Sequence, residues 1–419
     1  MRMKINKVTK AVNKRLILNK VNLELFKDEI TFIIGETASD NGVILNILGA
    51  LDNPNSGDIL IQLGNICIKL DERNNFRGKG LGFIFQEENL LRGLTVKENL
   101  IIGLGLSNGG FNKEYFQNTI EKFDIMHLLS KKVENLSCLE KQKVALSRAI
   151  LSNGKIILAD NPVANLKKVD KELLYQKYRS LKNKRIIIIM SNDYEMAKKY
   201  GDRIIKFING EIDEDIRVSQ YDVEEKTSND YGCFLKTGHK HIAFFLGYKH
   251  FLGNIGSIIC FIISLSFTQA LLFFVLSLLL NLIFIIEIDI IIILLILVVP
   301  FFLITLFIQT NTFVKTKLYK IEYNIGLLKL LGVSGKQLFS VYIIEFTVIL
   351  ITSFCIGYSF YLLTFKLLIT YLDLELVYMK PLRIGMWVLF LIICIAFFVS
   401  IKNLHFILRL SPIYALKRK

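Results

Sequence analysis

The chain has 419 residues, room for two or three domains, and 52% of them are apolar, too many for an ordinary soluble protein. Its formal net charge of +15 raises nucleic acid as a partner. Long uncharged blocks argue instead for membrane helices, whose flanks are enriched in Lys and Arg, so membrane lipid is the expected partner and nucleic acid is not.

The start, MRMKINKVTKAVNKRL, is basic but lacks an apolar run of signal-peptide length, so the N-terminal half is expected to stay in the cytosol. VNLELFKDEITFIIGE alternates, turns at Lys27 to Glu29 and runs apolar into Gly35, predicting strand, turn, strand and loop. GVILNILGAL follows with helical spacing, and a strand, a loop from Gly35 and a helix together form the setting of a phosphate-binding P-loop. KGLGFIFQEENLLRGLTVKENL predicts a strand ending at Gln86; NLSCLEKQKVALSRAILSNGKIILADNPVANL predicts a helix and a buried strand ending at Asp160. RIIIIMSNDYEMAKKYGDRIIKFINGEI reads as a further buried strand, a helix and a short strand pair. Buried strands alternating with helices give an α/β fold with a largely parallel sheet.

From about residue 255 the pattern changes. Four segments are long and apolar enough to span a membrane, at 255–280, 290–310, 338–365 and 384–401, giving an all-α four-helix transmembrane domain. The first intervening loop carries only Glu287 and Asp289, whereas the second carries Lys315, Lys317, Lys320, Lys329 and Lys336 against Glu322 alone. By the positive-inside rule the second loop and the basic tail are cytosolic, so both termini are expected inside a multi-pass protein of the cytoplasmic membrane. HKHIAFFLGYKHFLGN, before the first span, reads as an interfacial helix, and its His239, His241 and His250 have no carboxylate or Cys cluster with which to hold a metal. The six cysteines, Cys67, Cys138, Cys233, Cys260, Cys355 and Cys394, have no CxxC spacing, so neither disulfides nor a metal site is expected. Glu345 lies inside the third span, where an ionisable group is costly and function is the default hypothesis; snorkelling or a hydrogen bond between helices would equally account for it.

Five motifs then fall in a telling order: the loop at 35–42, Gln86, LSCLEKQKV at 136–144, IILADNP at 156–162 and IIIIMSND at 186–193. They resemble the Walker A, Q-loop, signature, Walker B and switch segments of an ABC transporter nucleotide-binding domain. The resemblance covers about residues 1–215 and implies that domain's P-loop-type α/β fold, with an antiparallel subsheet beside the parallel one. YNIGLLKLLGVSGKQLFSVYIIEFTVILI resembles the cytosolic coupling segment and third span of FtsX-like permeases, which implies coupling and membrane roles for Glu322, Gly326, Gly332 and Glu345. The whole resembles the MacB-like arrangement: a cassette at 1–215, a linker and interfacial helix at 216–254, and an FtsX-like permease at 255–419. Unlike relatives of that type, it leaves a minimal loop between the first two spans, so no large periplasmic domain or partner is expected.

The resemblance also defines what the chain departs from. ATP hydrolysis in the family needs a phosphate-binding Lys, a hydroxyl and an Asp for magnesium, a Glu for the attacking water and a His at the γ-phosphate. Against GxxGxGK(S/T) the chain has Gly35, Ala38, Asp40, Asn41 and Gly42, so a carboxylate replaces a glycine, the cation is lost and the hydroxyl is lost. Asp160 and Gln86 are retained, but Asn161 stands at the catalytic Glu and Asn192 at the switch His. An amide cannot act as a general base. The signature becomes Ser137, Cys138, Leu139, Glu140, with side chains in place of its glycines, while Val12 stands at the adenine-stacking aromatic and Lys167 at the D-loop Asp. No cofactor is expected, ATP and magnesium only if the degenerate site still binds. The expectation is a pseudo-ATPase subunit of an export or peptide-resistance system, as a homodimer or a heterodimer with an ABC-type subunit. A non-transporting scaffold, sensor or immunity protein and a divergent ATP-driven exporter stay open as alternatives.

Overall fold

The computed structural model describes residues 1–63, 66–69, 80–105, 113–152, 154–218, 255–282, 288–372, 398–399, 401–403 and 405. These form two units, one holding those within Met1–Ile242 and Gly326–Ser334, the other those within Ala243–Ile325 and Gly335–Ser411.

In the first unit β1 (Arg2–Val12) and β2 (Arg15–Phe26) form a hairpin, and β4 (Ser56–Leu63) and β5 (Ile66–Lys69) complete an antiparallel sheet of order β2-β1-β4-β5. Asn13 and Lys14 turn the hairpin with φ of 50° and 69°, the conformation that matches strand twist in a two-residue loop. Beside this sheet lies a second, of order β10-β9-β3-β8-β7-β6: β3 (Glu29–Ile34), β6 (Leu81–Ile84), β7 (Ile156–Asp160), β8 (Ile186–Met190) and β9 (Arg203–Ile208) are parallel, and β10 (Glu211–Arg217) closes one edge antiparallel. Every side chain of IIIIM on β8 is buried, because helices on one side and the small sheet on the other cover both faces. The helices are α1 (Ala38–Leu48), α2 (Val96–Gly105), α3 (Lys113–Phe123), α4 (Cys138–Leu151), α5 (Lys168–Arg179) and α6 (Tyr194–Tyr200).

The period of two along the strands sorts the core into two layers. Leu158, Ile186 and Ile188 face α1 and the small sheet, with Ile44, Leu45, Ile5 and Ile61, while Ile157, Ile187 and Ile189 face α4 and α5, with Val144, Ala145 and Tyr175. Each such side chain contributes roughly 1.5–3 kcal/mol of burial, which fixes register since a one-residue slip would exchange the two layers. That register places the C-terminal ends of β3, β7 and β8 side by side, with Asp160 and Ile33 both paired to Met190. In an open α/β sheet this is the edge where ligands bind.

The second unit contains α7 (Ile255–Leu282), α8 (Ile288–Leu330) as far as Ile325, and α9 (Gly335–Leu372), among the described residues three helices long and apolar enough to cross a membrane. The interfacial helix with its three histidines lies outside the described residues, as do the expected fourth span and the tail except for 398–399, 401–403 and 405. Two expectations need correction. The basic second loop is not a loop, since α8 continues unbroken through Lys315, Lys317, Lys320, Glu322 and Gly326 to Leu330, and only a four-residue connection turns the chain before α9. Straight-chain Lys and Leu are good helix formers, so charge ends the apolar span without ending the helix. Gly332 has φ +97° in that connection, where a side chain would be strained. The strand expected to end at Gln86 stops at Ile84.

Glu345 neither snorkels nor stands alone. Its Oε1 accepts from Lys317 Nζ, joining α9 to α8, and both residues are over nine-tenths buried. The ammonium also lies 5.4 Å from the Phe346 ring centroid and 6.0 Å from that of Phe313, a cation–π arrangement. Removing one charge from a buried pair leaves the other uncompensated, at a cost of about 3–5 kcal/mol. Lys317→Met or Glu345→Met alone should therefore sharply lower the thermal midpoint of the detergent-solubilised chain, and the double variant should recover most of the loss.

Candidate functional site

The sequence names Gly35, Asp40, Asn41, Gly42, Asp160, Asn161 and Asn192 as separate motif positions, and the structure brings them to the C-terminal ends of β3, β7 and β8. The expected phosphate loop at 35–42 is shorter than the motif implies. β3 ends at Ile34 and α1 begins at Ala38, so only Gly35, Glu36 and Thr37 remain as loop. The cause is local: Thr37 is a good N-cap and Asp40 sits three residues on, the spacing of a capping box. The Asp40 N–H donates to Thr37 Oγ1 at 3.2 Å and the Thr37 N–H donates to Asp40 Oδ2 at 3.2 Å.

Two further donors are met within the chain as well. The Asn41 N–H donates to the Thr37 carbonyl at 3.2 Å, and the Gly35 N–H donates to Asn41 Oδ1 at 2.6 Å. A Cβ on Gly35 would lie 2.6 Å from that same oxygen, so the space this glycine leaves is filled by the Asn41 amide. The other end of the amide donates from Nδ2 to Asn192 Oδ1 at 2.9 Å. Asn41 therefore bridges the β3–α1 loop to the segment after β8. Arg15, at the start of β2, adds a third element: Nη2 reaches Glu36 Oε2 at 3.1 Å and Asp40 Oδ2 at 3.2 Å.

The carboxyl of Asp160 lies at the end of β7. A Cβ on Gly42 would come within 3.9 Å of its Oδ2, so the two positions that elsewhere share a magnesium ion are still adjacent, one without its hydroxyl. Burial pushes the Asp160 carboxyl up from 3.8 to about 6. Asn161 follows with φ 41°, a left-handed conformation that Asn tolerates, and its N–H donates to the Met190 carbonyl at 2.9 Å.

The signature residues occupy a different helix end, where the same device recurs. Ser137 caps α4: the Glu140 N–H donates to Ser137 Oγ at 3.3 Å, and the Ser137 N–H donates to Glu140 Oε2 at 2.7 Å. That backbone donor holds the Glu140 carboxyl below its ordinary value. Cys138 is exposed, whereas Leu139 packs against the core on the α4 side of the sheet. Gln86 is exposed just past β6, its carbonyl accepting from Gln142 Nε2 at 3.4 Å. Val12 is exposed on β1, and Lys167 is the N-cap of α5 without a side-chain cap, the bond an Asp there could supply. Glu322 is buried in α8, and Gly326 and Gly332 fall within Gly326–Ser334 of the first unit. Among the described residues no His, Cys, Asp and Glu group could hold a metal ion.

The family profile described as ABC transporter matches residues 18–164. The lipoprotein-releasing system ATP-binding protein LolD of Bacteroides fragilis is 34% identical over 211 residues, 49% of this chain and 97% of LolD. The chain belongs to the ABC transporter family. The macrolide export ATP-binding/permease protein MacB of Campylobacter jejuni is 30% identical over 215 residues, which are 50% of this chain but 33% of MacB. A solved ABC cassette, the dimeric structure of MJ0796 bound to ADP and phosphate, is 28% identical over 52% of this chain and 100% of its own, with a TM-score of 0.46.

ABC ATPase domains use ATP with magnesium. A polyphosphate needs free N–H donors at the loop and a cation beside them. Here the N–H groups of Gly35, Thr37, Asp40 and Asn41 are spent inside the chain, Asn41 is neutral, and the carboxylate of Asp40 already sits at the helix N-terminus. As they stand, these residues of the ABC cassette do not fit magnesium and ATP.

Missing from the sequence reading are Arg15 and Gln142. Arg15 is one of 52 basic residues, and only its place beside the tip of the hairpin singles it out. Gln142 announces itself by nothing but its burial.

Asp160 allows a test of sign. Its folded pKa lies above the unfolded value of 3.8, so the folded state holds the proton more tightly, and stability is lost as pH rises from about 4 through about 6. The shift corresponds to about 3 kcal/mol above pH 6. Asp160→Asn should be more stable than the wild type by about 1–3 kcal/mol at pH 7.5, with the gain fading towards pH 4, as measured by denaturant unfolding across that range.

Proposed function

We propose that this chain is the membrane subunit of an ABC-type, MacB/FtsX-like export or peptide-resistance system, and that its own cassette is a pseudo-ATPase. The domains of this reading are the cassette at 1–215, the linker and interfacial helix at 216–254 and an FtsX-like permease at 255–419. Both termini lie in the cytosol, and the chain acts as a homodimer or with an ABC-type partner.

One observation carries the pseudo-ATPase part: the two helix ends that would grip phosphate, at α1 and α4, are each closed by the chain's own acidic capping box. An anion at a helix N-terminus is stabilised by the same N–H groups and dipole whether it is phosphate or carboxylate. A tethered carboxylate competes at high effective concentration. Around it, Asn161 offers no base, Gly42 no metal ligand and Asn41 no charge. Losing one such contact typically costs about a hundredfold in rate.

The export part rests on the joining of a cassette to helices of membrane length in one chain, the arrangement that the name of MacB, an ATP-binding/permease protein, describes. Only residues 283–287 separate α7 from α8, which leaves no space there for an extracytoplasmic domain and favours a substrate met at or within the bilayer.

The test uses the full chain in lipid nanodiscs. Wild type should show neither saturable binding of labelled ATP with magnesium nor phosphate release. D40G/N41K/G42S, which returns a glycine, the cation and the hydroxyl, should bind nucleotide without turning it over, because Asn161 and the α4 cap remain. Micromolar binding with turnover by the wild type would overturn the reading.

A further inference from the structure

The substitutions at positions 41 and 192 are complementary. In the family pattern a Lys at the first position and a His at the second approach the same terminal phosphate from two sides. In this chain two amides stand there and bond directly, Asn41 Nδ2 donating to Asn192 Oδ1 at 2.9 Å across 151 residues of sequence. The same Asn41 amide accepts the Gly35 N–H, so one nearly fully buried side chain ties the end of β3 to the segment after β8. That segment is itself ordered, since the Asp193 N–H donates to Ser191 Oγ at 3.1 Å and Asp193 Oδ1 accepts the Met196 N–H at 3.1 Å. On the other side Arg15 ties the β1–β2 hairpin to Glu36 and Asp40.

We propose that Asn41 and Asn192 form an internal latch that holds the β3–α1 loop and the switch segment together permanently, the joining that a terminal phosphate makes only when bound. The inference rests on the pseudo-ATPase reading, because a bound nucleotide would have to part the two amides. It gives the cassette a positive property, order at its C-terminal sheet edge that does not depend on any ligand. Asn fits both positions because an amide offers a donor and an acceptor at opposite corners. Asn41 uses both, one towards Gly35 and one towards Asn192. A Lys offers donors alone and could not accept from Gly35, so the loop and the latch require the same residue.

The experiment is amide hydrogen exchange on the full chain in nanodiscs, with and without magnesium and ATP. Asn192→Leu keeps the side-chain size but removes the acceptor, and should speed exchange at 35–41 about fivefold, the weight of one hydrogen bond. Asn192→Asp keeps an acceptor and should leave protection near that of the wild type. Asn41→Leu should speed exchange at 191–194, and the double variant should be no worse there than either single one. Effects confined to each mutated segment, adding in the double variant, would overturn the latch while leaving the pseudo-ATPase reading in place. Added protection of the wild type by magnesium and ATP would overturn both.

Discussion

The N-terminus of an α-helix presents N–H groups that no residue of the helix can satisfy, and in a nucleotide-binding fold that demand is the binding site. Everything specific to this chain follows from how the demand is met. At α1 the acceptors are Thr37 and Asp40, at α4 they are Ser137 and Glu140, and both pairs have the spacing that closes a helix end from within. A glycine at position 40 would remove the acceptor that the Asp40 carboxylate gives the Thr37 N–H, which the aspartate supplies from inside the chain. One side chain thus both caps the helix end and changes its charge.

The fold beneath is indifferent to that change. β3, β7 and β8 are held by the alternation that sends Leu158 and Ile188 to one layer and Ile157 and Ile187 to the other. None of those side chains reaches the sheet edge. Residues at a strand's carboxyl end lie outside both layers, so their identity is free to follow chemistry. The residues at 40–42, 161 and 192 can therefore vary without disturbing the well-buried sheet beneath them.

The architecture was legible in the sequence wherever a periodic pattern carried it. The buried strands IILAD and IIIIM, the turn between β2 and β3 after Phe26 and the first three apolar helices all stand where alternation, turn residues and apolar length put them. The failures share a cause. Reading 311–337 as a loop ended the helix where the apolar run ends, although Lys is a good helix former and α8 runs on to Leu330. Reading 35–42 as an open loop took its length from a motif, although Thr37 and Asp40 already spell a capping box. At the site the identities could be read, but the partners could not. Nothing in the sequence pairs Asn41 with Asn192, Arg15 with Asp40 or Lys317 with Glu345, since long-range contacts arise from strand order and helix packing rather than from spacing.

Asp160 shows where the two constraints still collide. It ends a strand whose other four residues are wholly buried, and burial raises its carboxyl to about 6. A carboxylate held that way weakens the fold at neutral pH, whereas the same group opposite a magnesium ion would be stabilised by it. The contrast with Asp40 is instructive, because that carboxylate accepts the Thr37 N–H and an Arg15 guanidinium contact and so offsets the cost of its burial. Of the two acidic groups at this edge, Asp40 is supported by hydrogen-bonding and charged neighbours, whereas burial is the influence that moves the carboxyl of Asp160.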